Sequence, residues 1–259
     1  MSDAVEGLNL TISGDAATLT LNRPERRNAL NQAMWRGLPA VLDQARAARV
    51  KVLVVTGAGG AFAAGADISE FEAVYATRAS AAAYFGEIGA SMDALAAFEA
   101  PTIARIEGAC VGGGLGLALC CDLRIASANA KLGITPAKLG LMYPLSDTRR
   151  LVEAVGPSRA KDILYTGRIL PADEALSIGL VDAVTGDVDA AVEEKTRAIA
   201  AASQWSARAT KRVIRRLLDG QTADDADTEG WMLDAVEGQD FLEGRDAFLA
   251  KREALFPFR

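Results

Sequence analysis

The chain contains no histidine among its 259 residues, and that absence excludes more chemistry than any motif in it suggests. Ser-His-Asp and Cys-His nucleophile pairs, His-ligated zinc or iron, and imidazole acid–base catalysis all fall away. Any proton transfer must use Asp, Glu, Lys, Tyr, Cys or water. Cysteine is scarce: Cys110, Cys120 and Cys121 have no metal-ligand spacing, and an odd number with two adjacent does not make a disulfide framework. They read as small buried hydrophobes, and no metal site is expected. Excess positive charge is lacking too. A net charge of −6 argues against a nucleic-acid or anionic-membrane partner. No apolar run approaches the roughly 20 residues that span a bilayer, and Met1 to Gly7 has neither a basic nor an apolar leader region. A soluble, cytoplasmic protein is expected.

What is present is a large apolar content, half of all residues, together with 24 glycines. That suffices for one sizeable α/β core with an appendage, or for two small domains. The glycines concentrate where the pattern changes. Pro101 to Ile106 reads as a strand, Gly112 to Gly114 as a turn, and the uncharged Leu115 to Cys121 as a buried helix of about two turns. Glycines at a helix start allow positive φ and close approach to the main chain, and the first amides of a helix have no internal partner. Such a turn offers free N–H donors at a positive dipole end, suited to a developing negative charge, although tight packing alone would also account for three glycines.

Along the chain, Leu8 to Ser13 and Ala16 to Asn22 alternate around Gly14-Asp15 as a hairpin, and Ala29 to Ala48 has helical period with Pro39 as a kink. Val50 to Thr56 reads as a buried strand. Gly57 to Gly60 ends it, and the stretch Ala61 to Phe71 is a second glycine turn leading into a helix, with Asp67 as its cap and Glu70 three residues on. Residues 72–98 read as an alanine-rich helix with an aromatic side, Asp122 to Ser127 as a strand, Ser146–Val155 and Ser158–Thr166 as short helices, and Leu180 to Val184 as a last strand. Val188–Ala202, Ala207–Leu218, Thr222–Val236 and Gly238–Arg252 read as amphipathic helices that must pack on a core or on another subunit.

Taken in order, Asn22-Arg-Pro-Glu-Arg-Arg-Asn-Ala-Leu30, Phe62-Ala-Ala-Gly-Ala-Asp-Ile68, Gly108 to Gly114, Cys121-Asp-Leu-Arg-Ile-Ala126 and Gly179-Leu-Val181 resemble the crotonase superfamily, the enoyl-CoA hydratase/isomerase family. The resemblance implies a spiral of ββα units over residues 1–200, binding acyl-CoA, and a C-terminal helical trimerisation region over 201–259, in trimers often paired as hexamers. It implies an acyl-CoA thioester substrate and no cofactor apart from the coenzyme A of that substrate. By motif position the thioester oxygen would sit between the N–H groups of Ala66 and Gly113. Arg26 or Arg27, backbone near Ala64 and Ile68, and Phe248 and Lys251, often from a neighbouring subunit, would hold the coenzyme.

The departures from the family pattern bear on the reaction. The two glutamates of family hydratases align to Gly116 and Pro136, and the aspartate of some dienoyl-CoA isomerases and dehalogenases aligns to Pro144. The segment Ile134-Thr-Pro-Ala-Lys-Leu-Gly-Leu-Met-Tyr143 is similar instead to the methylmalonyl-CoA decarboxylase branch, where a tyrosine at the position of Tyr143 orients the substrate carboxylate. That branch has a histidine where Ala66 stands, but only its backbone N–H is needed. A decarboxylase-like enzyme is therefore expected. The alternatives are a hydratase or isomerase using another acid, such as Glu70, Glu87 or Asp147, and a catalytically degenerate acyl-CoA binder.

Overall fold

The structure, a computed structural model, describes residues 5–258; the first four residues of the stretch read as leaderless, and the last residue of the C-terminal region, lie outside the described residues. Strands β1 (Leu8–Ser13) and β2 (Ala16–Leu21) form the expected hairpin, antiparallel from Leu8 opposite Leu21 to Ser13 opposite Ala16. Alternation in β2 turns Ala17, Leu19 and Leu21 into the core. Helix α1 (Gln32–Ala47) starts at Asn31, whose side chain accepts the Met34 N–H, and runs on through Pro39. Strand β3 (Val52–Gly57) lies parallel to β2 and is buried along its first four residues, as an uninterrupted β-branched run requires.

The segment 71–98 divides into α2 (Phe71–Val74) and α3 (Arg78–Ala96), because Thr77 and Ser80 form a reciprocal cap that starts a new helix. Strand β4 (Thr102–Ile106) follows, and then an element not anticipated: β5 (Ala109–Val111) separates β4 from α4 (Gly113–Cys120). Beyond α4 come β6 (Leu123–Ser127) and β7 (Lys131–Gly133). Helix α5 (Leu145–Thr166) is broken at Gly156, so the two expected helices are the two arms of one bent element. Strand β8 (Ile169–Pro171) precedes α6 (Ala172–Ser177). The last strand, β9 (Ala183–Thr185), starts later than expected: Leu180 and Val181 are buried but lie outside the ladder. Helices α7 (Val188–Ala201), α8 (Gln204–Leu218), α9 (Ala226–Glu237) and α10 (Gln239–Ala250) complete the chain.

The strands form two sheets, a six-stranded one in the order β1-β2-β3-β4-β6-β9 and a three-stranded one in the order β5-β7-β8. Except for the β1–β2 pair the large sheet is parallel, and helices cover it. The main core lies where α1, α3 and α4 meet the sheets, with Trp35, Phe62, Tyr84 and Phe98 among its largest members. A smaller cluster of Val52, Val54, Ile103 and Ile125 is closed by Val188 and Val192 of α7. Helix α8 is tied to this body by Lys211, which pairs with Asp122 at 2.7 Å, and by Arg208, which donates to the Val50 carbonyl. None of the helices is long and apolar enough to cross a membrane among the described residues.

Candidate functional site

Three loops that follow β2, β3 and β4 are drawn side by side by main-chain bonds. The Leu30 N–H donates to Gly65 O and the Asp67 N–H to Leu30 O, both at 2.8 Å. On the other side the Ala63 N–H donates to Ala109 O and the Val111 N–H to Ala63 O, both at 2.9 Å. The bridges Leu30 to Ala66 and Ala63 to Cys110 thereby extend the small sheet across both glycine turns.

Asn28 locks this arrangement. Fully buried at φ 57°, it donates from Nδ2 to the carbonyls of Ala58 and Ala61 and accepts the Arg23 N–H at Oδ1. Arg23 in turn bonds the Ala29 carbonyl and Asp67, and Asp67 accepts from the Ser69 hydroxyl and N–H, so it acts as the expected cap. The Ser69 hydroxyl, with Arg23 beside it, holds the Asp67 carboxyl below the usual carboxylate range. Glu70 does not complete the cap; it accepts the Gln32 N–H at 2.7 Å. Sequence reasoning gave no role to Asn28 or Arg23, since a polar loop beside a proline reads as exposed until its partners are known.

At the centre, Gly65 has φ 108° and Gly112 φ 55°, conformations that favour glycine, and a Cβ on Gly65 would stand 3.8 Å from the Gly113 nitrogen. A Cβ on Gly113 would stand 3.8 Å from the Ala66 nitrogen. The two turns thus abut, and among the described residues neither the Ala66 nor the Gly113 N–H is donated to a protein acceptor. Gly113 is the first residue of α4, an entirely apolar helix buried from Gly114 to Cys120. Two free amides, one at the N-terminus of the buried α4 and one on the turn that abuts it, can hold an oxygen that is gaining negative charge.

The position of Gly116, one helical turn further, holds no carboxylate. A Cβ there would meet Met92 Cε and the Tyr143 hydroxyl, each at 2.8 Å, so these two side chains fill the space. Pro136 begins a short 3-10 turn, Pro136–Leu139, and Pro144 caps α5. The Tyr143 hydroxyl is sealed from solvent without a partner, and burial, reinforced by the charge of Asp147, pushes its pKa up. Asp147 itself is buried against Arg150 at 2.8 Å, and Arg150 also holds Asp93. Burial raises the Asp147 pKa. Glu87 accepts from Gln32 and Arg36.

The residues expected at the coenzyme divide into two groups. Arg26 and Arg27 are exposed on the loop next to Asn28, and Ile68 is exposed beside Asp67. The Ala64 N–H is not available as a donor, because it bonds the Arg27 carbonyl at 2.9 Å; that bond fixes the arginine loop to the second glycine turn. Phe248 and Lys251 lie on and just beyond α10, which packs on α9, and no hydrogen bond or ion pair joins them to the first group among the described residues. No cluster of three or more His, Cys, Asp or Glu able to hold a metal occurs among the described residues.

The enoyl-CoA hydratase/isomerase family model matches residues 11–258. The chain belongs to the enoyl-CoA hydratase/isomerase family. An enoyl-CoA hydratase/isomerase family protein from Hyphomonas neptunium has a solved structure with a TM-score of 0.95, 49% identity, and 98% of each chain covered. A solved enoyl-CoA hydratase/carnithine racemase from Magnetospirillum magneticum gives a TM-score of 0.94 at 37% identity, covering 99% of this chain and 97% of that one. The crotonyl-CoA hydratase of Syntrophomonas wolfei is 37% identical over 98% of both chains. The α/β crotonase fold expected from the motifs is therefore the fold of this chain, and an acyl-CoA substrate fits the family. The relatives' names say hydratase, and none of them supports the expected kinship with the decarboxylase branch.

Proposed function

We propose that this family member binds an acyl-CoA thioester with its carbonyl oxygen between the Ala66 and Gly113 amides and forms the enolate by losing CO₂ from a malonyl-type substrate. One observation carries the choice of reaction: Met92 and the Tyr143 hydroxyl occupy the space at Gly116 where a hydratase glutamate would project, and Pro136 stands at the second position. Hydration must place water on one alkene carbon and a proton on the other, which needs groups able to hold both. Decarboxylation needs no base, because the breaking C–C bond supplies the electron pair. It needs donors for the enolate oxygen and a dry site for the carboxylate. Tyr143 donates its buried hydroxyl to that carboxylate, and losing either amide costs about 10²–10³ in rate. Arg26, Arg27, Ile68 and the Ala64 carbonyl hold the coenzyme, with Phe248 and Lys251 supplied by a neighbouring subunit. Residues 1–200 form the binding core and 201–259 the assembly region of a trimer or hexamer. The exposed Leu217, Leu233, Phe248 and Leu249 support that assembly. No cofactor beyond the coenzyme of the substrate enters this reaction.

Ordinary hydration is the second reading, favoured by the relative named crotonyl-CoA hydratase. Under it one of Asp147, Glu70 or Glu87 must leave its present partner. CO₂ release from a short alkylmalonyl-CoA and hydration of crotonyl-CoA, measured side by side, separate the two. The expected result is CO₂ release that falls about 10–100-fold in Tyr143→Phe, the worth of a hydrogen bond to a charged group. Hydration at about 10 s⁻¹ or faster, with no CO₂ from any malonyl thioester, would overturn the decarboxylation reading.

A further inference from the structure

The chain carries a net charge of −6, yet α8 holds Arg208, Lys211, Arg212, Arg215 and Arg216 and no acidic residue. Three of these cations are neutralised: Lys211 by Asp122, Arg215 by Asp219, and Arg216 by Asp225 and Asp227. Arg208 and Arg212 make no ion pair among the described residues, and neither does Arg49, which follows α1 at φ 54°. These three arginines line two cavities that meet at Phe98, Glu99 and Arg208. Arg49 and Arg208 face one of about 460 Å³, and Arg208 and Arg212 face one of about 260 Å³. The carboxylate in both walls, Glu99, is already held by Arg46 at 3.2 Å.

Arg208 is the least compensated of the three. Its Nη2 donates to the Val50 carbonyl at 3.3 Å, its Nε is sealed without an acceptor, and its Nη1 is unbonded but not sealed. Burial pushes the Arg208 pKa down, and the charge of Arg212 adds to that against the pull of Glu99. A partly desolvated cation with no counter-ion is costly, and an anion in the cavity relieves the cost. The guanidinium groups are also held by their faces. Arg208 lies over the Phe258 ring, 5.5 Å from its centroid, and Arg212 over Trp231 at 5.8 Å. A guanidinium supported this way presents its N–H edge already oriented, and that edge matches phosphate oxygens in a fork. Arg208 and Arg212 stand one turn apart on α8, about 6 Å along its axis, with Arg49 brought to the first cavity from the end of α1. A chain of linked phosphates can engage all three, whereas a single phosphate meets only part of the row.

We infer that Arg49, Arg208 and Arg212 form a binding site for a ligand bearing two or more linked phosphates, separate from the paired amides. Arg208 is bonded at Val50, ahead of β3, whereas the turn that carries Ala66 lies beyond Gly57 at the far end of that strand. The six residues of β3, about 20 Å of sheet, stand between the two. The inference therefore rests neither on the acyl-CoA reading nor on the reaction that follows from it.

The test is calorimetric titration of the full-length protein, at fixed ionic strength, with inorganic phosphate, pyrophosphate and ADP. Pyrophosphate is expected to bind about tenfold or more tightly than phosphate. Arg49→Gln, Arg208→Gln and Arg212→Gln should each weaken it about tenfold or more, the worth of a hydrogen bond between charged groups. ADP binding more tightly than pyrophosphate would support the site with a nucleotide as its ligand, and ADP binding no more tightly would support it with the phosphate chain alone. No binding of pyrophosphate, equal binding of phosphate and pyrophosphate, or an affinity unchanged in all three variants overturns the inference. So does a KM for acyl-CoA turnover that rises in step with the loss of pyrophosphate, since the row would then belong to the substrate's own site. Loss of pyrophosphate binding only together with a change of sedimenting species also overturns it, in favour of the acidic face of a second copy. Should Arg208→Gln not fold, Arg49→Gln and Arg212→Gln decide, because both side chains are exposed and make no ion pair.

Discussion

Gly114→Ala isolates the contact on which the paired amides depend. A Cβ at Gly114 would lie 2.5 Å from the Ala63 carbonyl oxygen, 2.7 Å from Ala63 Cβ and 3.0 Å from its carbonyl carbon. Ala63 cannot yield easily, because its N–H and its carbonyl are both bonded to β5. An ordinary contact begins at 3.4 Å, so the N-terminus of α4 must withdraw from the second glycine turn by about 0.9 Å. Overpacking of this kind costs about 1–3 kcal/mol. For a chain of this size each kcal/mol lowers the melting temperature by about 2–4 °C, giving a fall of about 2–12 °C. The same displacement carries the Gly113 amide away from Ala66, and a misplacement near 1 Å costs about 10²-fold in rate. Differential scanning calorimetry, with turnover of whichever acyl-CoA the wild type accepts, reads both effects. Gly116→Ala provides the comparison for stability: its new methyl meets side-chain ends, Met92 Cε and the Tyr143 hydroxyl, each at 2.8 Å, in place of a bonded main chain, so its melting temperature should fall less than that of Gly114→Ala. A Gly114→Ala protein with wild-type stability and turnover would refute the proposed dependence of the site on this helix–turn contact.

Asn28→Ala removes the donor to two buried carbonyls and the acceptor for Arg23, and should cost about 2–4 kcal/mol in chemical denaturation; a loss under about 0.5 kcal/mol would mean that the loop is held elsewhere. Asp67 has a folded pKa below its unfolded value, near 3.9. Its contribution to stability is therefore fully present above about pH 4 and is lost as pH falls through the depressed folded value. Acid unfolding curves should show that slope in wild type and lack it in Asp67→Asn. Sedimentation should give a trimer or hexamer, and a monodisperse monomer at micromolar concentration would contradict the role given to the exposed C-terminal helix faces.

The sequence determined on its own the order of the large elements, while the two amides of Ala66 and Gly113 were named through the resemblance to the family and not by any local signal. Alternation fixes β2, an unbroken β-branched run fixes β3, and an uncharged segment after three glycines can only be a buried helix such as α4. The same local signals placed Asp67 as a cap, and the missing carboxylates at Gly116 and Pro136 could be counted without coordinates. The three-residue strands β5, β7 and β8 were not legible, because a segment that short has no period, and each exists only through pairing across the small sheet. Tertiary structure alone decided which polar residues are sealed. Asn28 and Tyr143 look in sequence like a loop amide and a loop aromatic, yet one satisfies two buried carbonyls and the other ends with its hydroxyl sealed and unpaired. Sequence periodicity records which face of an element is apolar, whereas a hydrogen bond, made or missing, depends on groups tens of residues away that the fold brings within 3 Å or leaves out of reach.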